Sequence, residues 1–329
     1  MGWKKPKALA LLSGGLDSTL AVKLVLKQGI NIEAVNFMTP FCLCNQCSIK
    51  RFAGDLKIKV HRIFLGQEFL DIVVNPPHGY GRHMNPCIDC RILMFKKAKE
   101  LAEKIGADFI VTGEVLSERP FSQRKEAILQ IERQAGLEGK VLRPLCAKFL
   151  PMSEPEKNEL IDGEQLLAIR GRRRLPQIEL ASELGIRGYP CPSGGCLLTD
   201  PRFAERLKEH IHHERRLTLA DVALLKVGRH FRVGNGKIIV GRNRDENNRL
   251  LMIAKAQKLS WLEAVDYKGP VTLIIGEDSP LLLEKAAALT ARYSDAPKEK
   301  PVRVACKGKK EQVVESYVIA NKTLEDIRI

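Results

Sequence analysis

Ala8-Leu9-Ala10-Leu11-Leu12-Ser13-Gly14-Gly15-Leu16-Asp17-Ser18 reads as a strand, a turn and the start of a helix in immediate succession. The apolar run of residues 8–12 suits a buried parallel strand, and Leu20 to Leu26 carries the spacing of an amphipathic helix. Glycines between them let the backbone turn tightly and bring its N–H groups close to an anion at the helix N-terminus. Ser13 and Ser18 can donate to phosphate oxygens, while Asp17 can hold a magnesium ion or position the loop. No lysine follows the glycines, so the Gly-x-x-x-x-Gly-Lys-Ser/Thr loop is excluded.

Working outward, Ile32 to Phe37 reads as a second strand, Ile49 to Leu56 as part of a helix and Val60 to Leu65 as a third strand. Asp108 to Gly113 is the next, ending in Val111-Thr112-Gly113-Glu114. Such alternation predicts an α/β fold with a doubly wound parallel sheet, its ligand at the carboxyl ends of the strands. Ala127 to Glu132 and Lys140 to Leu142 read as further short strands. Ser153-Glu154-Pro155-Glu156 starts a helix that continues from Asn158 to Ile169, and Gln177 to Leu184 forms another. Between these helices, Arg170, Arg172, Arg173 and Arg174 form a basic run suited to a phosphate backbone.

A length of 329 residues suggests two or three domains, and a 44% hydrophobic content supports real cores. The first domain is expected over 1–200 and a smaller α+β domain over 201–329. No apolar run approaches the roughly 20 residues that span a bilayer. Met1-Gly2-Trp3-Lys4-Lys5-Pro6 leads straight into the first strand, leaving no room for a signal peptide, so a cytoplasmic protein with reduced cysteines is expected. The net charge of +15 divides almost evenly: residues 201–329 hold 25 Lys/Arg against 17 Asp/Glu, and residues 1–200 hold 29 against 22. A field of that sign draws polyanions and makes their binding salt-sensitive.

Nine cysteines in spaced clusters point to metal or sulfur chemistry before disulfides. Cys42, Cys44 and Cys47 stand at a strand end and could hold zinc, with His61, His78 and His83 as candidates for a fourth ligand. Cys87 and Cys90 follow the turn-rich loop Asn75 to His83, at the first turn of a helix from about Arg91 to Lys104. There the helix dipole favours thiolate. Cys196 closes the rigid loop Tyr189-Pro190-Cys191-Pro192-Ser193-Gly194-Gly195-Cys196. Cys146 and Cys306 stand alone and read as buried small hydrophobes.

Ser13-Gly14-Gly15-Leu16-Asp17-Ser18 resembles the PP-loop of the ATP pyrophosphatase superfamily, whose members split ATP between the α- and β-phosphates and adenylate a substrate. The first 200 residues resemble the tRNA-thiouridine synthetases, especially the 2-thiouridylase branch. Asn85-Pro86 precedes Cys90, Ser193-Gly194-Gly195-Cys196 is similar to a second cysteine loop, and Val111-Thr112-Gly113 resembles a strand end near the adenine. The resemblance implies ATP and magnesium at Ser13, Gly14, Gly15, Asp17, Ser18, Thr112 and Gly113. It further implies sulfur transfer at Cys90 and Cys196. With Cys87 these make three thiolates, the set by which related thiolases hold a four-iron, four-sulfur cluster with one iron open; Cys191 is the rival third ligand. Val240-Gly241-Arg242-Asn243 resembles the RNA-binding domain of the NFACT family.

The combined expectation is ATP-dependent thiolation of a tRNA uridine, with sulfur from sulfide or a persulfide carrier and no membrane partner. Two alternatives stand beside it: a PP-loop enzyme adenylating a small molecule, and a non-catalytic RNA-binding protein that holds ATP.

Overall fold

The computed structural model describes residues 5–43, 46–189, 195–277, 279–309 and 311–329, with residues 46–48 described by backbone alone. The chain forms two compact units, Met1–Asp200 and Pro201–Ile329. Among the described residues, no helix is long and apolar enough to cross a membrane.

The first unit runs β1 (Lys7–Leu11), α1 (Leu16–Lys27), β2 (Asn31–Met38), α2 (Gln46–Leu56), β3 (Lys59–Phe64), α3 (Gln67–Val74), α4 (Cys87–Ile105), β4 (Phe109–Thr112), α5 (Lys125–Ala135), β5 (Val141–Leu142), α6 (Glu154–Lys157) and α7 (Leu175–Glu183). Its strands are all parallel, in the order β3-β2-β1-β4-β5. This is the doubly wound α/β sheet expected from the alternation of apolar segments. Alternate β1 residues serve opposite faces. Ala8 and Ala10 pack with Ala21, Val22 and Val25 of α1, while Leu9 is fully buried outside that cluster and α4 packs on β1 and β4. The small alanines let α1 approach the sheet closely. The chain builds β2 and β3 on one side of β1, then β4 and β5 on the other. The order therefore reverses between β1 and β4, where an open α/β sheet leaves its ligand crevice.

Two sequence expectations fail here. Ala127 to Glu132 lies in helix α5, because Ala127, Ile128, Ile131 and Ala135 share one helical face and all four are buried. The helix begun at Ser153 stops after one turn and does not continue from Asn158 to Ile169. Ser153 and Glu156 form a reciprocal capping box at its start, but Glu159 adopts φ +54° and ends it; only a short 3-10 turn, Gly163–Gln165, follows.

The second unit contains α8 (Pro201–Glu214), α9 (Leu219–Leu225), β6 (Arg229–Val233), β7 (Gly236–Val240), α10 (Arg244–Gln257), β8 (Trp261–Ala264), β9 (Thr272–Ile275), α11 (Pro280–Arg292), β10 (Val302–Lys307), β11 (Gln312–Ser316) and α12 (Asn321–Ile327). Its strands form one antiparallel sheet, β11-β10-β8-β9-β7-β6. Phe231, Ile238 and Ile274 pack with Leu282, Ala286 and Leu289 of α11. Ile239 and Leu273, on the neighbouring positions, pack with Leu250 and Ala254 of α10. The sheet is thus covered on both faces.

Beside β1, Glu33 accepts from Lys7 Nζ at 2.7 Å and pairs with His61 Nε2 at 2.6 Å, with Lys59 Nζ at 3.6 Å. The Lys7 ammonium and the His61 ring hold its carboxyl down to about 2. A depressed acid stabilises the fold above its unfolded pKa, and that contribution disappears as pH falls toward the folded value. Glu33→Gln should therefore lower the urea midpoint at pH 7, with the gap to wild type closing between about pH 5 and pH 2. An unchanged gap at pH 3 would contradict the pairing.

Candidate active site

The reversal point between β1 and β4 is built from very close backbone contacts. Gly14 has φ +79°, and a Cβ there would lie 2.7 Å from Ile49 Cγ1. Gly113, just past β4, is tighter still: a Cβ would stand 2.4 Å from Ser18 N and 2.5 Å from Asp17 O. A methyl group cannot fit at either distance, so both positions are restricted to glycine. Within the loop, Ser13 Oγ and Ser18 Oγ are 3.1 Å apart, and Ser18 Oγ and Thr19 Oγ1 both donate to Gly15 O. Asp17 and Ser18 thus meet Gly113 at the strand ends, Ser13, Gly14 and Gly15 lead into them from β1, and Thr112 is buried at the last position of β4.

The residues after Gly113 fix this seam from beneath. Glu114 is buried and accepts from Arg143 Nε at 3.0 Å, with Arg91 Nε at 3.3 Å; Arg143 also pairs with Glu132. Removing one partner from such a buried ion pair costs about 3–5 kcal/mol. The following loop is held by buried Gln123, which accepts from Arg119 N through Oε1 and from Ser117 N through its carbonyl. Ser117 adopts φ +62°, a left-handed conformation costing a non-glycine residue about 1–2 kcal/mol. That turn presents Glu118 and Arg119 to the Asp17 carboxylate. Burial and the Asp17 charge both raise the Glu118 pKa.

Asp17 is likewise raised by burial, against the opposing pull of Arg174, Gln177 and Arg119. The arginine run therefore divides. Arg174, at the N-cap of α7, bears on Asp17; Arg170 lies over the Phe149 ring at 5.2 Å; Arg172 and Arg173 are exposed.

Cys87 and Cys90 occupy the first turn of α4, where Asn85 Nδ2 donates to Cys87 Sγ at 3.2 Å. Between them Asp89 turns back to His78, accepting from its backbone N–H and pairing with its ring at 2.6 Å, which fastens the preceding loop. Cys196 arrives by a different route. Leu43 N donates to Gly195 O and Leu197 N to Phe41 O, pinning Cys196 in an antiparallel bridge to Cys42 beyond β2. Its thiol bears electrostatically on that of Cys90, and the Cys87 thiol bears on Cys196 in turn.

The expected thiolate at the helix start is overturned for Cys90. Burial pushes its thiol up to about 12, and the Cys196 and Cys87 thiols and Asp89 add to the shift against Arg91. Burial likewise lifts Cys196 to about 11, opposed by the Leu198 N–H and by Arg119. Arg119 consequently acts on both the loop carboxylate and a cysteine of the trio.

No group of three His, Cys, Asp or Glu among the described residues is drawn together around a single ion. Four-iron clusters hold their cysteines further apart than one ion does, and three soft sulfur donors within electrostatic reach of one another fit that donor set. For zinc, Cys42 is disulfide-bonded and offers no free thiolate. Cys44 and the Cys47 side chain lie outside the described residues, as do Pro190, Cys191, Pro192, Ser193 and Gly194. His61 and His78, candidate fourth ligands, are engaged by Glu33 and Asp89. Cys146 and Cys306 are buried, and Cys146 Sγ donates to Glu114 O.

Gly113→Ala tests the seam. Its methyl group should force α1 away from β4, lowering stability by about 1–3 kcal/mol and abolishing nucleotide binding. Urea denaturation and calorimetric titration with ATP would read both, and a variant unchanged in either would contradict the close packing.

Residues 4–149 match the family model described as thiamine biosynthesis protein (ThiI), and residues 228–328 match the NFACT protein RNA binding domain. The chain is 34% identical over 122 residues to the tRNA-specific 2-thiouridylase MnmA of Syntrophotalea carbinolica, covering 33% of this chain and 35% of that protein. It is 29% identical over 170 residues to a probable tRNA sulfurtransferase of Thermoanaerobacter, covering 49% and 40% respectively. The chain thus spans well under half the length of these two curated relatives. A crystal structure of a 4-thiouridine synthetase–RNA complex with bound ATP matches at 24% identity over 67% of this chain and 52% of that one. The TM-score of that match is 0.36. One chain thus carries a segment similar to the ThiI family at residues 4–149 and a segment similar to the NFACT RNA-binding domain at 228–328.

Proposed function

We propose that this chain is an ATP-dependent tRNA-uridine thiolase. The observation that carries the reading is the glycine loop packed against Gly113 at the reversal point of the sheet, with Cys87 and Cys90 on the first turn of α4 and Arg119 bearing on both Asp17 and Cys196. A nucleotide loop and a sulfur-bearing trio within the field of one guanidinium suit a reaction that activates an oxygen with ATP and then replaces it with sulfur.

In the first step the uridine carbonyl oxygen attacks the α-phosphorus of ATP. The bond from that phosphorus to the oxygen bridging the β-phosphate breaks, and pyrophosphate leaves. The backbone N–H groups of the loop, with Ser13 and Ser18, would hold the phosphates, and Arg119 and Arg174 would offset developing charge. Asp17 would hold magnesium, which neutralises phosphate charge when bound. In the second step hydrogen sulfide ion attacks the activated carbon; the carbon–oxygen bond breaks, AMP departs with the former carbonyl oxygen, and a proton is lost to leave the thiocarbonyl.

Cys87, Cys90 and Cys196 would hold a four-iron cluster whose open iron supplies a site for sulfide. The raised thiols of Cys90 and Cys196 support a metal-held set over a free persulfide carrier. A carrier must ionise near neutral pH against its burial, whereas metal binding displaces the thiol proton directly. The RNA-binding domain at 228–328, with exposed Arg172 and Arg173, would grip the tRNA backbone.

The test is an anaerobic reaction of cluster-loaded protein, unmodified tRNA, magnesium, ATP and isotopically labelled sulfide, followed by mass spectrometry of the digested nucleosides. Labelled thiouridine is expected with wild type and none with Cys90→Ala. ATP cleavage stimulated by a small metabolite, with unlabelled tRNA, would overturn the reading in favour of small-molecule adenylation.

A further inference from the structure

Gln177 lies on α7, which packs against α1, and its side chain is fully buried. Neither Gln177 Nε2 nor Oε1 makes a hydrogen bond among the described residues. Its amide is a hydrogen-bonding neighbour of the Asp17 carboxylate and helps to hold that group's pKa down, although neither amide atom meets the distance and angle of a fully formed bond. Two neighbours share the condition: Asp17 Oδ1 and Arg174 Nε are buried and equally without a hydrogen-bond partner among the described residues. Buried amides are nearly always satisfied, since an unmade hydrogen bond in the interior opposes folding. Three neighbouring side chains with four such atoms concentrate that deficit at one place.

The chemistry of these atoms is specific. Asp17 Oδ1 and Gln177 Oε1 are acceptors; Gln177 Nε2 and Arg174 Nε are donors. A hydrated divalent cation presents only donors, through its waters, and a polyphosphate presents only acceptors. Magnesium-bound polyphosphate offers both and matches all four atoms. A lone anion would leave the acceptors bare, and a lone cation would leave the donors bare.

We propose that Gln177 is a binding residue for magnesium–ATP, its Oε1 accepting from a metal-bound water and its Nε2 donating to a phosphate oxygen. The proposal rests on the nucleotide reading of the glycine loop and adds α7 as the second wall of that site. It gives the unsatisfied amide a purpose: stability is given up in the free protein and recovered when the nucleotide binds.

The test pairs Gln177→Met, which preserves volume and removes both polar atoms, with Gln177→Glu, which preserves shape and places a like charge beside Asp17. Thermal unfolding of the full chain is measured with and without magnesium–ATP, and nucleotide affinity by calorimetric titration across magnesium concentrations. Gln177→Met should raise Tm without ligand, weaken magnesium–ATP binding by about tenfold and reduce the shift in Tm that ligand produces. Gln177→Glu keeps the acceptor but replaces the phosphate donor with a negative charge, so it should weaken nucleotide binding most at low magnesium, where the polyphosphate charge is least neutralised. If Gln177→Met lowers Tm and binds magnesium–ATP as tightly as wild type, Gln177 is a structural residue and the proposal fails alone. If wild type itself binds no ATP, the nucleotide reading fails and the proposal falls with it.

Discussion

The approach of Gly113 to the backbone of Asp17 and Ser18 is the constraint on which the rest of the first unit depends. With no room for a Cβ between them, the end of β4 and the first turn of α1 behave as one rigid piece. The helix N-terminus, the glycine loop and the Asp17 carboxylate are thereby fixed against the sheet. Arg143 and Glu114 hold the same seam from the buried side, where the cost of breaking the pair keeps β4 in place. Rigidity of this kind suits a site that must direct several N–H groups at one set of phosphates.

Around that seam, segments distant in sequence supply charged and polar groups. The loop after β4 carries Glu118 and Arg119, the start of α7 brings Arg174 and Gln177, and the first turn of α4 brings Cys87 and Cys90. The backbone β-bridge between residues 42 and 196 delivers the third cysteine, whose thiol is free. Burial raises Asp17, Glu118, Cys90 and Cys196 alike, so the site carries unfavourable electrostatics that the proposed metal and phosphate would relieve. Strained Ser117 and the unsatisfied Gln177 amide belong to the same pattern.

Much of the sheet could be read from the chain because its signals are local. Ala8 to Leu12 and Val111-Thr112-Gly113 are short apolar runs bounded by glycine, and their parallel pairing follows from the alternation with helices. Where a run was short and helical periodicity lay partly beyond it, the reading failed: Ala127 to Glu132 shows its helical face only when Ala135 is included. The premature end of the Ser153 helix depends on the single left-handed residue Glu159, a conformation with no sequence signal of its own. Arg174 is indistinguishable in sequence from Arg172 and Arg173, and only the docking of α7 on α1 turns it toward Asp17. Arg119 and Gln177 belong to no motif; the loop that carries Arg119 is shaped by left-handed Ser117 and by buried Gln123, neither of which is marked in the sequence. The thiolate expectation for Cys90 failed for a related reason. A helix start is visible in sequence, whereas the burial that outweighs its dipole is not.

The most direct measurement follows both ends of ATP while the full-length chain turns over with unmodified tRNA, magnesium and sulfide. ATP labelled separately at the α- and γ-phosphates distinguishes the bond that breaks. A glycine loop of this design, with Asp17 and without a following lysine, should yield AMP and pyrophosphate, one of each per thiouridine formed. ADP and inorganic phosphate, or cleavage indifferent to tRNA, would contradict the assignment of this site to adenylation of an RNA base.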